Sequence, residues 1–467
     1  MKKPLLTLVL AAGEGTRFRS ETNKVLHPLL GRSMLRLVLD AGLSLKPEKT
    51  VVIVGCQKEA VMEEAAAAGV EFAHQKKRKG TAHAVMTAKS ALKDGYDAVV
   101  MPADFPLIRS ATLKSLVSFH QKRGNAATVL SADVENPAGF GRIVRGKDGR
   151  IQIVEEKDAG PPVRKLKEVN SGIYVFDVKA LLGALPKISN RNKNGEYYLT
   201  DAISILSAAG KKVSIFKALN PEDVIQVNTR YDLSRAVNVL RERKIRDLSE
   251  NGVTVLNPSS TWIDLEAEIG RDTVVYPSVV IEGKTRIGER CCLYPGAHII
   301  NSRIGNHVSV FSSTVMVDAT IEDEVIVGPF ARLRPKTILR AGAHVGNFVE
   351  MKNIDFGRGS KAGHLSYLGD SEIGEGVNIG AGTITCNYDG VKKNRTVIEA
   401  GAFIGSGTQL VAPVKVGKGA YIAAGSVITK DVSPEALAVA RGRQVERPGW
   451  ARRKREKQRK EKENRKP

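Results

Sequence analysis

Over residues 1 to about 230, short apolar runs alternate with longer stretches of helical spacing. The runs at 5–12, 50–54, 98–101, 126–132, 173–176 and 213–217 have the length and aliphatic content of buried strands. The stretches at 34–45, 59–68 and 111–122 carry apolar residues at helical intervals. This alternation predicts an α/β unit with a Rossmann-like, mostly parallel sheet and ligands at the carboxyl ends of its strands. Residues 231–251, with Leu233, Val237, Leu240 and Ile245 near helical spacing, predict one charged helix that links this unit to the next.

From 252 to 440 the period changes to six. Aliphatic residues recur at Ile269, Val275, Ile281, Ile287, Leu293 and Ile299, then at Ile304 and Val310, and again from Ile321 through Val327, Leu333 and Leu339 to Val345. A last series runs Ile398, Ile404, Leu410, Val416, Ile422, Ile428. Three six-residue faces close one triangular coil, so this half predicts a parallel β-helix with the aliphatic residues stacked inside. Glycines such as Gly288, Gly305, Gly380 and Gly405 follow the aliphatic position and are expected at corners needing unusual φ. The stretch 351–368, rich in Lys, Gly and His, interrupts the period and is expected to loop out and carry chemistry.

Composition narrows this picture little: 467 residues allow about three units, and 42% hydrophobic with 26% charged residues is ordinary globular usage. Cys56, Cys291, Cys292 and Cys386 are too scattered for a disulfide framework or a zinc site, and Cys291, Cys292 and Cys386 read as packing residues. No apolar run is long enough to span a membrane. Lysines before the first apolar run give it the outline of a signal peptide. The run breaks at once into Gly13-Glu14-Gly15-Thr16-Arg17, which reads as a buried first strand, and a cytoplasmic location is expected.

Charge changes the picture more. The formal net charge is +22, and residues 441–467 hold 13 basic and four acidic residues. The segment 452–460 lacks apolar periodicity and reads as a solvated, disordered or frayed helical tail. A nucleic-acid role needs aromatic stacking or a groove-filling helix beside the charge; the tail shows neither, and no nucleic-acid partner is expected.

The first candidate chemistry follows the first strand. In Leu10-Ala11-Ala12-Gly13-Glu14-Gly15-Thr16-Arg17 the glycines let backbone N–H groups approach phosphates, and Arg17 with Lys24 places two cations suited to a triphosphate. Here the chain resembles the sugar-nucleotide pyrophosphorylases, whose fingerprint is L-A-A-G-x-G-T-R followed by P-K-V-L-H. Asn23 replaces the proline, which predicts a less rigid loop around Lys24. The resemblance implies a uridine-binding segment at Gln75, Gly80 and Thr81, and a metal-binding Asp104 beside Ala103, where glycine is usual. It also implies sugar contacts at Gly141, Glu155 and Asn170, and a second metal ligand at Asn228. Asp and Asn oxygens suit Mg²⁺ that also takes phosphates and water. With Arg17 and Lys24 the metal would offset charge as a sugar phosphate attacks the nucleotide α-phosphate in line. His27 and His83 read as structural or substrate-edge residues.

The second set lies in the repeat half: 328–335, 344–352, 359–370 and 378–390. These segments are similar to the acetyltransferase half of the bacterial bifunctional N-acetylglucosamine-1-phosphate uridyltransferase/glucosamine-1-phosphate acetyltransferases, and the likeness covers all but the basic tail. It implies a left-handed β-helix, acetyl-CoA and UTP as co-substrates, and a homotrimer with sites between subunits. It also implies a place in precursor supply for peptidoglycan and lipopolysaccharide. Acyl transfer to an amine needs a proton acceptor, for which His364 is the choice, with Glu350 as its orienting carboxylate. Arg334 and Lys352 suit a sugar phosphate, with Tyr367 and Asn378 on the same substrate. Ala381, Asn387, Tyr388, Ser406, Ala424 and Arg441 match acetyl-CoA positions. Two rivals stay open at this point: a single-function nucleotidyltransferase whose β-helix only oligomerises, and a non-catalytic regulatory scaffold. The first has no need of His364, Lys352 and Arg334, and the second none of Lys24, Asp104 and Asn228.

Overall fold

A computed structural model of the chain describes residues 3–55, 57–146 and 148–463, so Cys56 and the last four residues lie outside the described residues. The chain divides into two compact units: Met1–Glu250 with Trp262–Glu266, and Asn251–Thr261 with Ala267–Pro467.

In the first unit the sheet order is Val213–Lys217, Ala127–Asp133, Glu168–Asp177, Asp97–Pro102, Leu5–Ala11, Lys49–Val54, Glu71–His74. Leu5–Ala11 pairs in parallel with Lys49–Val54 and Asp97–Pro102. Glu168–Asp177 runs antiparallel between its two neighbours, so the sheet is mixed at this point. Alternate residues of Leu5–Ala11 enter two separate cores, Leu6 and Leu8 on one face and Val9 and Ala11 on the other. Burial on both faces explains why the run is apolar throughout instead of alternating. The helices Met34–Leu43, Lys58–Ala66 and Ser110–Arg123 form where spacing predicts them. The hairpin Gly141–Arg145/Ile151–Val154, attached to Glu168–Asp177, was not predicted. The charged helix Arg230–Glu250 forms as one element, and its Ala236 and Leu240 pack with Phe18, Leu30 and Leu107, so it groups with the first unit.

The second unit is a parallel β-helix. On one face the inward residues Val275, Leu293, Val310, Val327, Val345, Ala362, Ile379, Ile404 and Ile422 stack in register. The corner expectation is only half right. Many left-handed corners are taken by other residues, among them Asp272, Arg290, His307, Glu324, Phe348 and Leu365. Gly288, Gly305, Gly380 and Gly405 answer to a different constraint, close approach of neighbouring coils: a Cβ on Gly405 would lie 2.5 Å from the Ala424 nitrogen.

The expected loop at 351–368 is corrected too. Glu350–Phe356, Lys361–His364 and Tyr367–Ile373 are regular coil strands, with Met351, Phe356, Ala362 and Leu368 filling the interior. Ala, Met and Phe there hide the aliphatic period without breaking the stack. The chain departs from the coil further on, after Ile384–Cys386, where Tyr388 bridges Lys393 before the stack resumes at Thr396–Ile398. Beyond the coils, Trp450–Glu463 within the basic tail is a helix, one of the two forms expected for it.

Candidate active sites

The first site forms where Leu5–Ala11 and Asp97–Pro102 end side by side. Gly15 has φ 63°, and a Cβ there would lie 2.6 Å from Lys24 Cβ, so glycine is what lets the loop close over the lysine. Asn23, in place of the proline, accepts a hydrogen bond from the Val25 amide at 3.2 Å and caps the Lys24–Leu26 turn. A local side-chain cap therefore constrains the loop that the missing ring was expected to loosen.

Lys24 Nζ donates to Asp104 Oδ2 at 2.7 Å and to Asn228 Oδ1 at 3.3 Å. The Asn228 oxygen also accepts from Arg17 at 3.0 Å, and Gln226 donates to Asp104 Oδ2 at 3.1 Å. Asp104 Oδ1 is buried and has no hydrogen-bond partner. Asn228 is held from behind by Asp232, whose carboxylate accepts from the Asn228 and Thr229 amides.

These residues edge a cleft of about 420 Å³. Leu10, Ala11, Ala12, Gly13, Lys24, Gln75, Gly80, Thr81, Asp104, Gly141, Glu155 and Asn170 all line it. Arg17 and Asn228 join through the hydrogen bonds above. Ala103 does not reach the cleft: its side chain is buried in the core and its amide donates to the Leu10 carbonyl.

Gln75 donates to the Gly80 carbonyl and meets His83 Nδ1 at 3.0 Å. Burial and the Lys79 charge lower the His83 pKa, which suits a neutral ring accepting from Gln75. His27 is likewise lowered, by burial and by Arg230, and packs against Phe18. Burial pushes the Glu155 carboxyl up, although Thr200 donates to it at 3.2 Å. Asn170 donates to the Tyr174 hydroxyl at 2.8 Å, which fixes its amide. Sequence reading missed Arg78, Thr200 and Gln226, which also line the cleft. Of these Arg78 left a signal as part of the basic run 76–79, and Gln226 as a neighbour of Asn228 in the matched segment 226–230.

In the second unit, His364 sits on an exposed strand end opposite Asn347 of the preceding coil. Its Nδ1 lies 2.8 Å from Asn347 Oδ1. An amide oxygen only accepts, so Nδ1 carries the proton and Nε2 is left with its lone pair. Asn347, and not Glu350, orients the histidine: Glu350 is taken by Arg334 at 2.9 Å. The tie is legible only once the coil register places the two residues opposite each other.

Arg334, Lys352 and Tyr367 lie on a different face of the coil from His364 and Asn378. The adjacent Lys393 lowers the Lys352 pKa, so two ammonium groups converge with Arg334 nearby. Lys393 comes from the excursion after Cys386 and was not singled out in the sequence. Asn387 bonds Asp370 and the Tyr367 hydroxyl, and Tyr388 donates to the Gly390 carbonyl. Ala381, Ser406 and Ala424 occupy equivalent places two residues past Ile379, Ile404 and Ile422. The Gly407 amide donates to Ala381, the Gly425 amide to Ser406 and the Arg441 guanidinium to the Ala424 carbonyl at 2.8 Å, so these predicted residues form one column.

The family models agree with this division. The nucleotidyl transferase model matches residues 6–264, and the bacterial transferase hexapeptide model, six repeats, matches 395–430. A bifunctional protein GlmU of Geobacillus thermodenitrificans is 48% identical over 95% of this chain and 96% of its own. One from Thermotoga maritima is 48% identical over 96% of this chain and 99% of its own. A solved UDP-glucose pyrophosphorylase complexed with UDP-glucose aligns over 51% of this chain and 99% of its own, at 18% identity and a TM-score of 0.42.

Proposed function

Because the chain belongs to the GlmU family of bifunctional proteins, we propose that it makes UDP-N-acetylglucosamine in two steps. The β-helix acetylates glucosamine 1-phosphate with acetyl-CoA, and the α/β unit then transfers UMP from UTP to the N-acetylated product, releasing pyrophosphate.

In the first unit the Gly13 loop and Thr81 receive UTP, Gln75 faces the uracil, and Glu155 and Asn170 face the sugar. Lys24 and Arg17 donate to the phosphate oxygens that gain charge as the sugar phosphate oxygen attacks the α-phosphorus. The orphaned, buried Asp104 Oδ1 and the neutral Asn228 oxygen are hard donors that fit Mg²⁺. Asp104 and Asn228 would hold the ion, which when bound supplies charge neutralisation to the substrate phosphates.

In the second unit His364 Nε2 takes the proton from the amine as nitrogen attacks the thioester carbonyl and the coenzyme thiolate leaves. Arg334, Lys352 and Lys393 hold the sugar phosphate, with Tyr367 and Asn378 on the sugar. Ala381, Ser406, Ala424 and Arg441 seat acetyl-CoA, with Asn387 and Tyr388 beside it. A homotrimer completes this site. In support, Phe330, Phe348 and Leu365 make an exposed apolar ridge, 51–61% accessible, at coil corners beside Asn347 and His364. Association through that ridge would bring a second chain against the base.

The observation that carries the reading is Lys24 linking Asp104 and Asn228 beside an unused carboxylate oxygen. The test is paired. Asp104→Ala should abolish pyrophosphate release and spare thiol release from acetyl-CoA, and His364→Ala should do the converse. Loss of both activities in either folded variant would refute two separate sites.

A further inference from the structure

Gln226 lines the first cleft and takes no part in the transfer steps described above. Its side-chain nitrogen donates to Asp104 Oδ2 at 3.1 Å, the same oxygen that accepts from Lys24 at 2.7 Å. The other oxygen, Oδ1, is buried and has no hydrogen-bond partner among the described residues. Buried polar atoms are nearly always satisfied, so an oxygen left bare while its twin takes two donors calls for a ligand.

The chain beside Gln226 is tied to the same place. The Val227 amide donates to the Asp104 carbonyl at 2.9 Å, and the Asn228 side-chain oxygen accepts from Lys24. Three consecutive residues thus meet Asp104 or its partner Lys24: one by a neutral side chain, one by the backbone, one by the second proposed cation ligand. The segment is held at both ends. Before it, buried Asp223 of the Pro221–Val224 turn accepts from Arg109 at 2.8 Å and from Arg243 at 3.2 Å. After it, Asp232 accepts from the Asn228 amide at 3.1 Å.

We propose that Gln226 is a positioning residue for the cation site: by holding Asp104 Oδ2 it presents Oδ1 to the ion. The proposal rests on the reading of Asp104 and Asn228 as Mg²⁺ ligands. A carboxylate turns freely about its single bond, and two donors on one oxygen remove that freedom, as hydrogen bonds to metal-ligating carboxylates do. The two donors are unequal. Lys24 is a cation, which a divalent ion repels, and the proposed chemistry draws it to the phosphate oxygens. Gln226 is neutral, so it keeps its hold on Oδ2 without opposing the charge of the ion. Lys24 and Asp104 are only 11% and 13% exposed, which leaves little room for water to replace the amide as donor.

The test is Mn²⁺ binding by the full chain with UDP-N-acetylglucosamine present, read from the electron paramagnetic resonance signal of the free ion. Gln226→Met keeps the reach of the side chain and removes the donor; Gln226→Ala, which removes both, should behave alike. Losing a hydrogen-bond partner of a metal ligand costs about 10–100-fold in metal affinity, so the Mn²⁺ Kd should rise roughly tenfold or more. In uridyl transfer the Mg²⁺ concentration for half-maximal rate should rise in step, and excess Mg²⁺ should recover the lost rate while KM for UTP holds. A packing role would move the melting temperature and KM for UTP instead, with no recovery by metal, and that result overturns the proposal. Asp104→Ala separates the two claims. If it binds Mn²⁺ as the parent does, the cation-site reading falls and the role of Gln226 falls with it. If it loses Mn²⁺ while Gln226→Met binds as the parent does, the cation site stands and the positioning role is refuted.

Discussion

At the scale of single residues, the acetyl-transfer site turns on an amide. Asn347 pins the Nδ1 proton of His364, so Nε2 faces outward ready to accept one. Asn347→Ala frees both the tautomer and the ring angle. We expect kcat for acetyl transfer to fall roughly tenfold, part of the about 10²–10⁴ a positioned base contributes, with KM little changed. Steady-state kinetics decide the point, and an unchanged kcat would remove Asn347 from the mechanism. Glu155 makes a second case. Burial raises its pKa in the folded chain, so its protonated form is favoured there. The stability tied to that proton is whole below the unfolded value of 4.5 and is lost as pH climbs through the raised folded value. Glu155→Gln removes this loss. The variant should therefore gain melting temperature over the parent at pH 8 compared with pH 4.5, and a constant difference across that range would refute the assignment.

At the scale of elements, what holds the β-helix is how closely its coils approach. Gly405 has no left-handed φ to justify it, yet an added Cβ would fall 2.5 Å from one backbone atom and 2.6 Å from another in the next coil. Gly405→Ala should cost about 1–3 kcal/mol through forced separation of the coils. Denaturant unfolding should show it as a lower midpoint in the β-helix transition. An unshifted midpoint would mean the coils yield freely. This spacing is also what the sequence conceals. The six-residue period was legible because identical aliphatic types repeat, and so was Leu5–Ala11, an apolar run ending in a glycine loop. Residues 351–368 read as an interruption only because Met351, Phe356 and Ala362 do the interior work of Ile and Val. The true excursion at 387–395 carries Lys393, whose value depends on the loop folding back on Lys352, a contact between residues 41 apart. Cleft residues named by motif, such as Gln75, Asp104 and Asn170, were found from sequence. Thr200 was not, because it enters the cleft from a helix that carries no fingerprint, and Gln226, although in the segment matched for Asn228, was given no role of its own.

At the scale of the whole molecule, the two units differ in how complete a site each presents by itself. The first site is closed within one unit: its cations, its oxygen donors and its cleft all come from residues 10–228 of one chain. The second is open. His364 is exposed, its companions Arg334, Lys352 and Tyr367 lie on another face, and Phe330 and Phe348 stack at 5.4 Å as a bare ridge beside it. An apolar ridge of that kind is stable in water chiefly when covered. If another copy covers it, Phe348→Asp buries an unpaired charge at the contact and should break the trimer. Sedimentation should then give the mass of one chain, with acetyl transfer down at least tenfold and uridyl transfer within twofold of the parent. Phe330→Asp, one coil earlier, guards against a purely local defect and should behave alike. A variant that separates into single chains and still acetylates at the parental rate would show that one chain holds the complete second site, and the proposal that association builds it would fail.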